Sequence, residues 1–372
     1  MALPPTFRFL RSLFFVCFAA TALVSCTDYD LVSRNDAFAP LLNGDRTDSP
    51  FWWAPPDTGS ASAGVSGRVC DPSGGDWVVG ALASTWMDTD GDGVDEEFGD
   101  LTDVDGRYLL HGMPGGPTTI TIEKGSFSAE VDVELIEGEI LELPDPTCLD
   151  ASSVEIAVVT GHFDDIGAIL DELAVDYDSW DGVYSDTYVS LLTDYATLSS
   201  YDIVFLNCGI DPMEHQWYGQ YADVVGNLRA FVAAGGSIYA SDWSYFFLEA
   251  SHPDLVDFYG EDSWFGSALV GDAASTSAQV IDSNMQMLLG SPVASLDFDL
   301  DQWAVPTSTG SVDVLVQGDV SVMGGGVSVT NAPLALQYTN DQEGRILYTA
   351  FHNEAQATLD MVTLLKEIVL SL

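Results

Sequence analysis

Two hydrophobic periods divide this chain. Between residues 64 and 150 the apolar positions fall in short runs, 65–69, 77–86, 108–110, 118–123, 128–135 and 139–143, separated by Gly, Pro and Asp. Runs of that length with turn residues between them predict the strands of a small all-β sandwich. From residue 151 to 372 the texture changes. Largely apolar runs at 154–160, 202–207, 237–240 and 345–351 alternate with segments at 165–174, 186–198, 218–234 and 354–370 in which apolar residues recur every three or four positions. Strands apolar on both faces have to be covered on both faces, and the intervening helices supply that cover, so the pattern predicts an α/β domain on a largely parallel sheet. Residues 268–338 break the alternation, and their runs 278–281, 312–316 and 334–338 predict extra strands.

The N-terminal residues follow neither period. Arg8 and Arg11 precede an apolar run over 13–24, which ends in Leu23-Val24-Ser25-Cys26. A basic flank, a short apolar core and a small residue before the cut make residues 1–25 a secretory signal, too short for a comfortable membrane span. Leu-Val-Ser-Cys resembles the lipobox of bacterial lipoproteins. That resemblance implies that Cys26 is acylated and becomes the mature N-terminus, anchoring the protein to a membrane. Thr27 stands where an inner-membrane retention signal would place Asp, so the expected location is the bacterial cell envelope, at the outer membrane. Residues 26–63, rich in Pro, Ser, Asp and Gly, read as a tether, interrupted by the aromatic stretch at 50–56.

Charge narrows the partners. The sequence has 10 Lys plus Arg against 58 Asp plus Glu; without the two arginines of the signal, the mature chain carries 8 − 58 = −50. Such a field repels nucleic acid and anionic lipid surfaces. Because the acids are interspersed with hydrophobic runs, the chain reads as folded with an acidic skin. Either salt adaptation or dependence on bound divalent cations accounts for that skin. Once Cys17 leaves with the signal and Cys26 takes lipid, Cys70 and Cys148 remain at the two ends of the sandwich segment. In an oxidising compartment they are expected to form a disulfide, and Cys208 to be a buried thiol.

Within the sandwich segment, Thr102-Asp103-Val104-Asp105-Gly106-Arg107-Tyr108 and Gly112-Met113-Pro114-Gly115-Gly116 resemble the carboxypeptidase regulatory-like domain, a transthyretin-like β-sandwich. The resemblance implies a spacer or a carbohydrate-binding module without catalytic residues. The loop Asp88-Thr89-Asp90-Gly91-Asp92-Gly93-Val94-Asp95-Glu96-Glu97 places carboxylates at alternating positions with Gly at the sixth, a spacing that wraps a hard cation in oxygen ligands. It resembles the calcium loops of EF-hands and thrombospondin repeats, although Gly99 stands where an EF-hand has its bidentate Glu. The expected cofactor is calcium, held by Asp88, Asp90, Asp92 and the carbonyl of Val94, with Asp95 or Glu96 completing the shell. An acidic hairpin tip without an ion is the alternative.

In the α/β segment, residues 202–207, the Gly235-Gly236 stop before 237–240, and the closing stretch 344–354 resemble the class I glutamine amidotransferase-like fold, a flavodoxin-like parallel sheet. In that family a Cys nucleophile sits on the turn after the Gly-Gly strand, with a His-x-Glu pair after the last strand. His352 and Glu354 match the pair, but Asp242 occupies the nucleophile position, and a carboxylate does not replace a thiolate in amide transfer. His162, His215, Asp242, His352 and Glu354 are expected at the carboxyl edge of the sheet, where open α/β sheets bind ligands, beside an aromatic group of Trp217, Tyr218, Trp243, Tyr245, Phe246, Phe247 and Trp264. Core packing is the other reading of those aromatics. The sequence thus describes a lipid-anchored envelope protein with a β-sandwich spacer and a non-catalytic amidotransferase-like domain that binds a ligand, a glycan or an envelope protein. The rival is a hydrolase of a glycan or acyl-amide in which Asp242, His352 and Glu354 are catalytic, as general base for water or, with His162, as metal ligands.

Overall fold

A computed structural model of the chain describes residues 62–185, 187–210, 214–260, 268–300, 302–324, 326–353 and 357–372, with the side chains of 214–219, 308 and 309 left out. The signal, Cys26, the tether as far as residue 61, and Glu354 lie outside the described residues.

The N-terminal part is two small sheets face to face. One carries β4 (Arg107–Met113), β1 (Ala63–Cys70) and β7 (Ile140–Glu142), with β8 (Thr147–Cys148) also paired to β1; the other runs β3 (Glu96–Leu101), β2 (Leu82–Met87), β5 (Gly116–Lys124) and β6 (Phe127–Leu135). Alternating inward residues, among them Val65, Val69, Ala83, Tyr108, Leu110, Ile120, Ile122 and Phe127, fill the space between the sheets. Cys70 and Cys148 are register partners on β1 and β8 and form a disulfide.

One expected strand starts later, and one strand was not expected. The run 77–86 is not one strand: Trp77 makes only an isolated bridge to Cys70, Gly80 turns the chain with φ +66°, and β2 begins at Leu82. β3 was not legible, because its residues are Glu-Glu-Phe-Gly-Asp-Leu; it pairs antiparallel with β2, so the acidic loop is the tip of a hairpin between Met87 and Glu96.

The C-terminal part is a nine-stranded mixed sheet in the order β10-β9-β11-β12-β19-β18-β17-β14-β15. Its first five strands, β10 (Asp178–Trp180), β9 (Ile156–Val159), β11 (Ile203–Leu206), β12 (Ser237–Ser241) and β19 (Arg345–Thr349), are all parallel. Taken in chain order they stand 2-1-3-4-5, the flavodoxin-like arrangement, with its topological switch between β9 and β11. Every residue of β9, β11 and β12 is buried, which is why these strands read as unbroken apolar runs. Helices α1 (Ile166–Glu172), α2 (Thr187–Thr193), α3 (Tyr195–Leu198), α4 (Glu214–Ala233), α5 (Tyr245–Ser251), α6 (Ser283–Leu289) and α7 (Leu359–Leu370) accompany the sheet. Asp165 caps α1 by accepting from the Ala168 amide, and Thr358 caps α7 through Met361.

The interruption at 268–338 is an antiparallel extension of the same sheet: β18 (Val327–Thr339) pairs with β19, then β17 (Asp313–Val322), β14 (Ala274–Val280) and β15 (Val293–Phe298) follow. Besides this, the short strands β13 (Val256–Phe258) and β16 (Pro306–Thr309) form a separate pair.

Sandwich and α/β part meet at the turn between β5 and β6. Lys124, the last residue of β5, donates to Glu367 of α7 at 2.5 Å, and both side chains are buried. Burial pushes the Glu367 carboxyl up, against the pull of the Lys124 ammonium. Ser126 Oγ and the Arg345 guanidinium both donate to the carbonyl of Leu372. At Gly125, φ +58°, an added Cβ would stand 2.5 Å from the Leu370 carbonyl, so the turn packs directly on the C-terminal backbone.

Candidate functional site

The carboxyl ends of β11, β12 and β19, three neighbouring strands, converge on one buried cluster. After Ser241 the chain turns sharply, and Asp242 adopts φ +42° before a single 3₁₀ turn, Asp242–Ser244, leads into α5. A left-handed backbone at a non-glycine residue is strained, and Asp is among the few side chains that tolerate it. The strand–turn–helix geometry that presents a nucleophile in the resembled family is therefore present, with a carboxylate at its apex.

That carboxylate is occupied and enclosed. Its Oδ1 accepts from the Ala304 amide at 2.7 Å, and Oδ2 accepts from the Cys208 thiol at 3.3 Å and lies 3.5 Å from His352 Nε2. Asp242 is 5% exposed at its side chain and His352 13%. Trp243 Nε1 donates to the Gln302 carbonyl, so residues 302–304 of the extension lie over the turn. The Cys208 thiol is pushed up to about 12, first by burial and then by the charge of Asp242. Reactive cysteines have depressed pKa values and access to solvent, and Cys208 has neither.

Beside this cluster, at the switch between β9 and β11, a second polar group opens to solvent. The loop after β9 carries the buried Asp164, whose carboxylate accepts from Ser241 Oγ at 2.5 Å and from the Asn353 amide at 3.0 Å. Burial holds Asp164 above the usual carboxylate range, with the nearby His352 pulling the other way. The β9 and β11 loops touch backbone to backbone: a Cβ on Gly161 would stand 2.0 Å from the Cys208 carbonyl oxygen. Asn207 donates through Nδ2 to the Asp164 carbonyl, which fixes the orientation of its amide. Its Oδ1 is buried with no hydrogen-bond donor among the described residues. A cleft of about 500 Å³ lies over these groups, lined among others by His162, Phe163, Asp165, Tyr177, Asn207 and Asn353.

The structure thus brings Asp242 and His352 together and adds Cys208, Asp164 and Asn207, none of which the sequence reading placed at the site. His162 sits apart, on the cleft, with Tyr184 edge-on at 6.0 Å. Glu354 and Trp264, and the side chains of His215, Trp217 and Tyr218, lie outside the described residues. Of the other aromatics expected at this edge, Tyr245, Phe246 and Phe247 are buried in α5 and belong to the core.

In the sandwich, the acidic loop folds on itself. Asp88 accepts from the amides of Gly91 and Gly93, which hold its carboxyl below the usual range. Asp90 accepts from Asp92 N and Asp92 from Val94 N, while Glu96 accepts from the amide and hydroxyl of Thr89. Asp88, Asp90 and Asp92 each present an oxygen within 4.8 Å of the others, and Asp95 is exposed. An all-oxygen set of this kind suits a hard cation.

No protein-family model matches the chain, and no curated protein matches it. Among solved structures it is similar to the mmIFT52 N-terminal domain, with 10% identity and a TM-score of 0.34 over 53% of this chain and 85% of that one. PurLQS from Thermotoga maritima gives 11% identity and a TM-score of 0.35 over 58% of this chain and 97% of that one. A type II cohesin–X-dockerin complex from Acetivibrio cellulolyticus gives 19% and 0.17 over 23% and 56%. With scores this low, the fold rests on the strand order described above.

Proposed function

We propose that this is a lipid-anchored protein of the bacterial cell envelope, held at the outer membrane through Cys26, in which the sandwich is a spacer and the amidotransferase-like domain binds a glycan without turning it over. The observation that carries the reading is Asn207 Oδ1, a buried acceptor at the cleft left without a donor among the described residues. An unsatisfied buried acceptor costs about 1–3 kcal/mol, and a sugar hydroxyl would satisfy it once the cleft lining shifts to admit it. Phe163, 48% exposed, and Tyr177 offer apolar faces beside the carboxylate of Asp165, the mixture of flat apolar surface and convergent polar groups that small-molecule sites use. Catalysis is disfavoured because Asp242 is enclosed and engaged, and Cys208 is a buried thiol with a raised pKa.

The test is calorimetric titration of the mature protein with envelope polysaccharide fragments. Phe163→Ala and His162→Ala are expected to weaken binding at least about tenfold, or 1.4 kcal/mol, while the melting temperature stays put. Unchanged affinity in both variants, or binding of an envelope protein with no affinity for any glycan, would count against the reading.

Calcium is proposed as the ligand of the acidic loop. At a hundred times its Kd, an ion bound only by the folded state stabilises it by about 2.7 kcal/mol. Millimolar calcium at constant ionic strength is therefore expected to raise the melting temperature of the wild type but not of an Asp88→Asn/Asp90→Asn variant. A wild-type midpoint that does not move would remove calcium from the account.

A further inference from the structure

Beyond the ends of β11, β12 and β19 the buried Cys208 and Asp242 meet the partly buried His352. A thiol, a carboxylate and an imidazole, one from each of three adjacent strand ends, point at a common centre, with Sγ of Cys208, a carboxylate oxygen of Asp242 and a ring nitrogen of His352 all within 4.8 Å of one another. We propose that Cys208, Asp242 and His352 form a zinc site. This proposal is independent of the glycan reading, because none of the three lines the cleft.

Geometry is the first argument. Zinc bonds of about 2.0 Å to oxygen and nitrogen and about 2.3 Å to sulfur set tetrahedral ligand atoms roughly 3.3–3.6 Å apart. The observed separations are 3.3 Å from Cys208 Sγ to Asp242 Oδ2 and 3.5 Å from that oxygen to His352 Nε2. Two of the three edges thus already have the length of a zinc tetrahedron's, and the third lies within 4.8 Å. The fourth position falls to water on the His352 side, where the cluster is least buried.

Charge is the second. A carboxylate removed from water needs a compensating cation. On binding zinc the Cys208 thiol gives up its proton to solvent, and thiolate, carboxylate and neutral imidazole around a divalent ion sum to zero, so the metal makes a neutral unit of a carboxylate otherwise held by the Ala304 amide, the Cys208 thiol and His352. Sulfur in the set selects a borderline-soft ion and argues against calcium or magnesium.

Support around the ligands is the third. Ligating carboxylates are usually oriented by an outer hydrogen bond, and Asp242 Oδ1 takes one from Ala304 N at 2.7 Å. The amide of Cys208 donates to Ser241 Oγ at 2.9 Å, fixing the loop that carries the sulfur. All three ligands lie within three residues of the ends of parallel strands, and Cys208 is the free cysteine among the described residues, Cys70 and Cys148 being paired with each other.

The experiment uses the untagged mature protein, purified without chelator, with zinc measured by elemental analysis and the site read after exchange into cobalt. Wild type is expected to hold about one zinc per chain and, with cobalt, to show a thiolate-to-metal charge-transfer band. Cys208→Ser should lose the band and bind zinc at least about tenfold more weakly. Asp88→Asn, in the acidic loop, should keep both. Wild type without zinc and without the cobalt band, a band that survives in Cys208→Ser, or zinc lost from Asp88→Asn instead would each overturn the proposal. If Cys208→Ser fails to fold, the wild-type zinc content and cobalt spectrum still decide it.

Discussion

Replacing Lys124 by methionine is expected to destabilise the protein by about 3–5 kcal/mol, the usual cost of stranding one member of a buried ion pair. Lys124 and Glu367 are both buried, 243 residues apart in sequence, and the pair joins the β5–β6 turn of the sandwich to α7 of the α/β part. With the ammonium gone, Glu367 keeps, among the described residues, only the weak contact from Ser371 Oγ at 3.4 Å. The double variant Lys124→Met/Glu367→Leu removes both charges and is expected to recover most of the loss, because a buried pair is worth little against apolar residues of similar volume. Urea unfolding of the two variants checks this. A single variant within about 1 kcal/mol of wild type would mean that the pair is solvated and does not join the two parts.

Removing the disulfide is the second large effect. Cys70 and Cys148 close a loop of sequence separation 78 and tie β1 to β8 at the two ends of the sandwich. Chain entropy alone assigns such a loop about 4–5 kcal/mol, and native disulfides of small secreted domains are worth about 2–5 kcal/mol. Cys70→Ser/Cys148→Ser is expected to fall in that range, with unfolding midpoints that no longer respond to reductant. A loss below about 1 kcal/mol, outside that range, would show that the sandwich core holds without its staple.

How far the sequence carried this picture depended on burial. β9, β11, β12 and β19 were legible because a parallel strand covered on both faces is an apolar run, and Gly235-Gly236 marked the end of α4. β10 was not, since Asp178-Ser179-Trp180 is a short polar strand at the edge of the sheet, and β3 was hidden by its acids. The extension was visible only as a break in the alternation; that β18, β17, β14 and β15 continue the same sheet antiparallel is a long-range pairing no local pattern encodes.

At the site, the pairing of Asp242 with His352 could be anticipated from the family resemblance. Cys208 could not, because the resemblance places the family's cysteine on the Asp242 turn. The available signal was register: Cys208 follows β11, which lies beside β12, so its side chain reaches the residue after Ser241. Asn207 and Asp164 were missed for a related reason. Their importance lies in burial next to a cleft at the β9–β11 switch, and a lone Asn or Asp in sequence is indistinguishable from a solvated one.

The claim that this domain binds and does not catalyse is tested most directly by incubating wild type and Asp242→Asn with the glycans the cleft retains, and with amide and ester substrates, while following product by mass spectrometry. Both proteins are expected to return the ligand intact, with Asp242→Asn less stable by about 1–3 kcal/mol from disturbed buried partners. A general base or a ligand of a catalytic metal acts in the transition state, and its loss typically costs 10²-fold or more in rate. Turnover by wild type that disappears in a folded Asp242→Asn would contradict the account and make Asp242 and His352 the centre of a hydrolase.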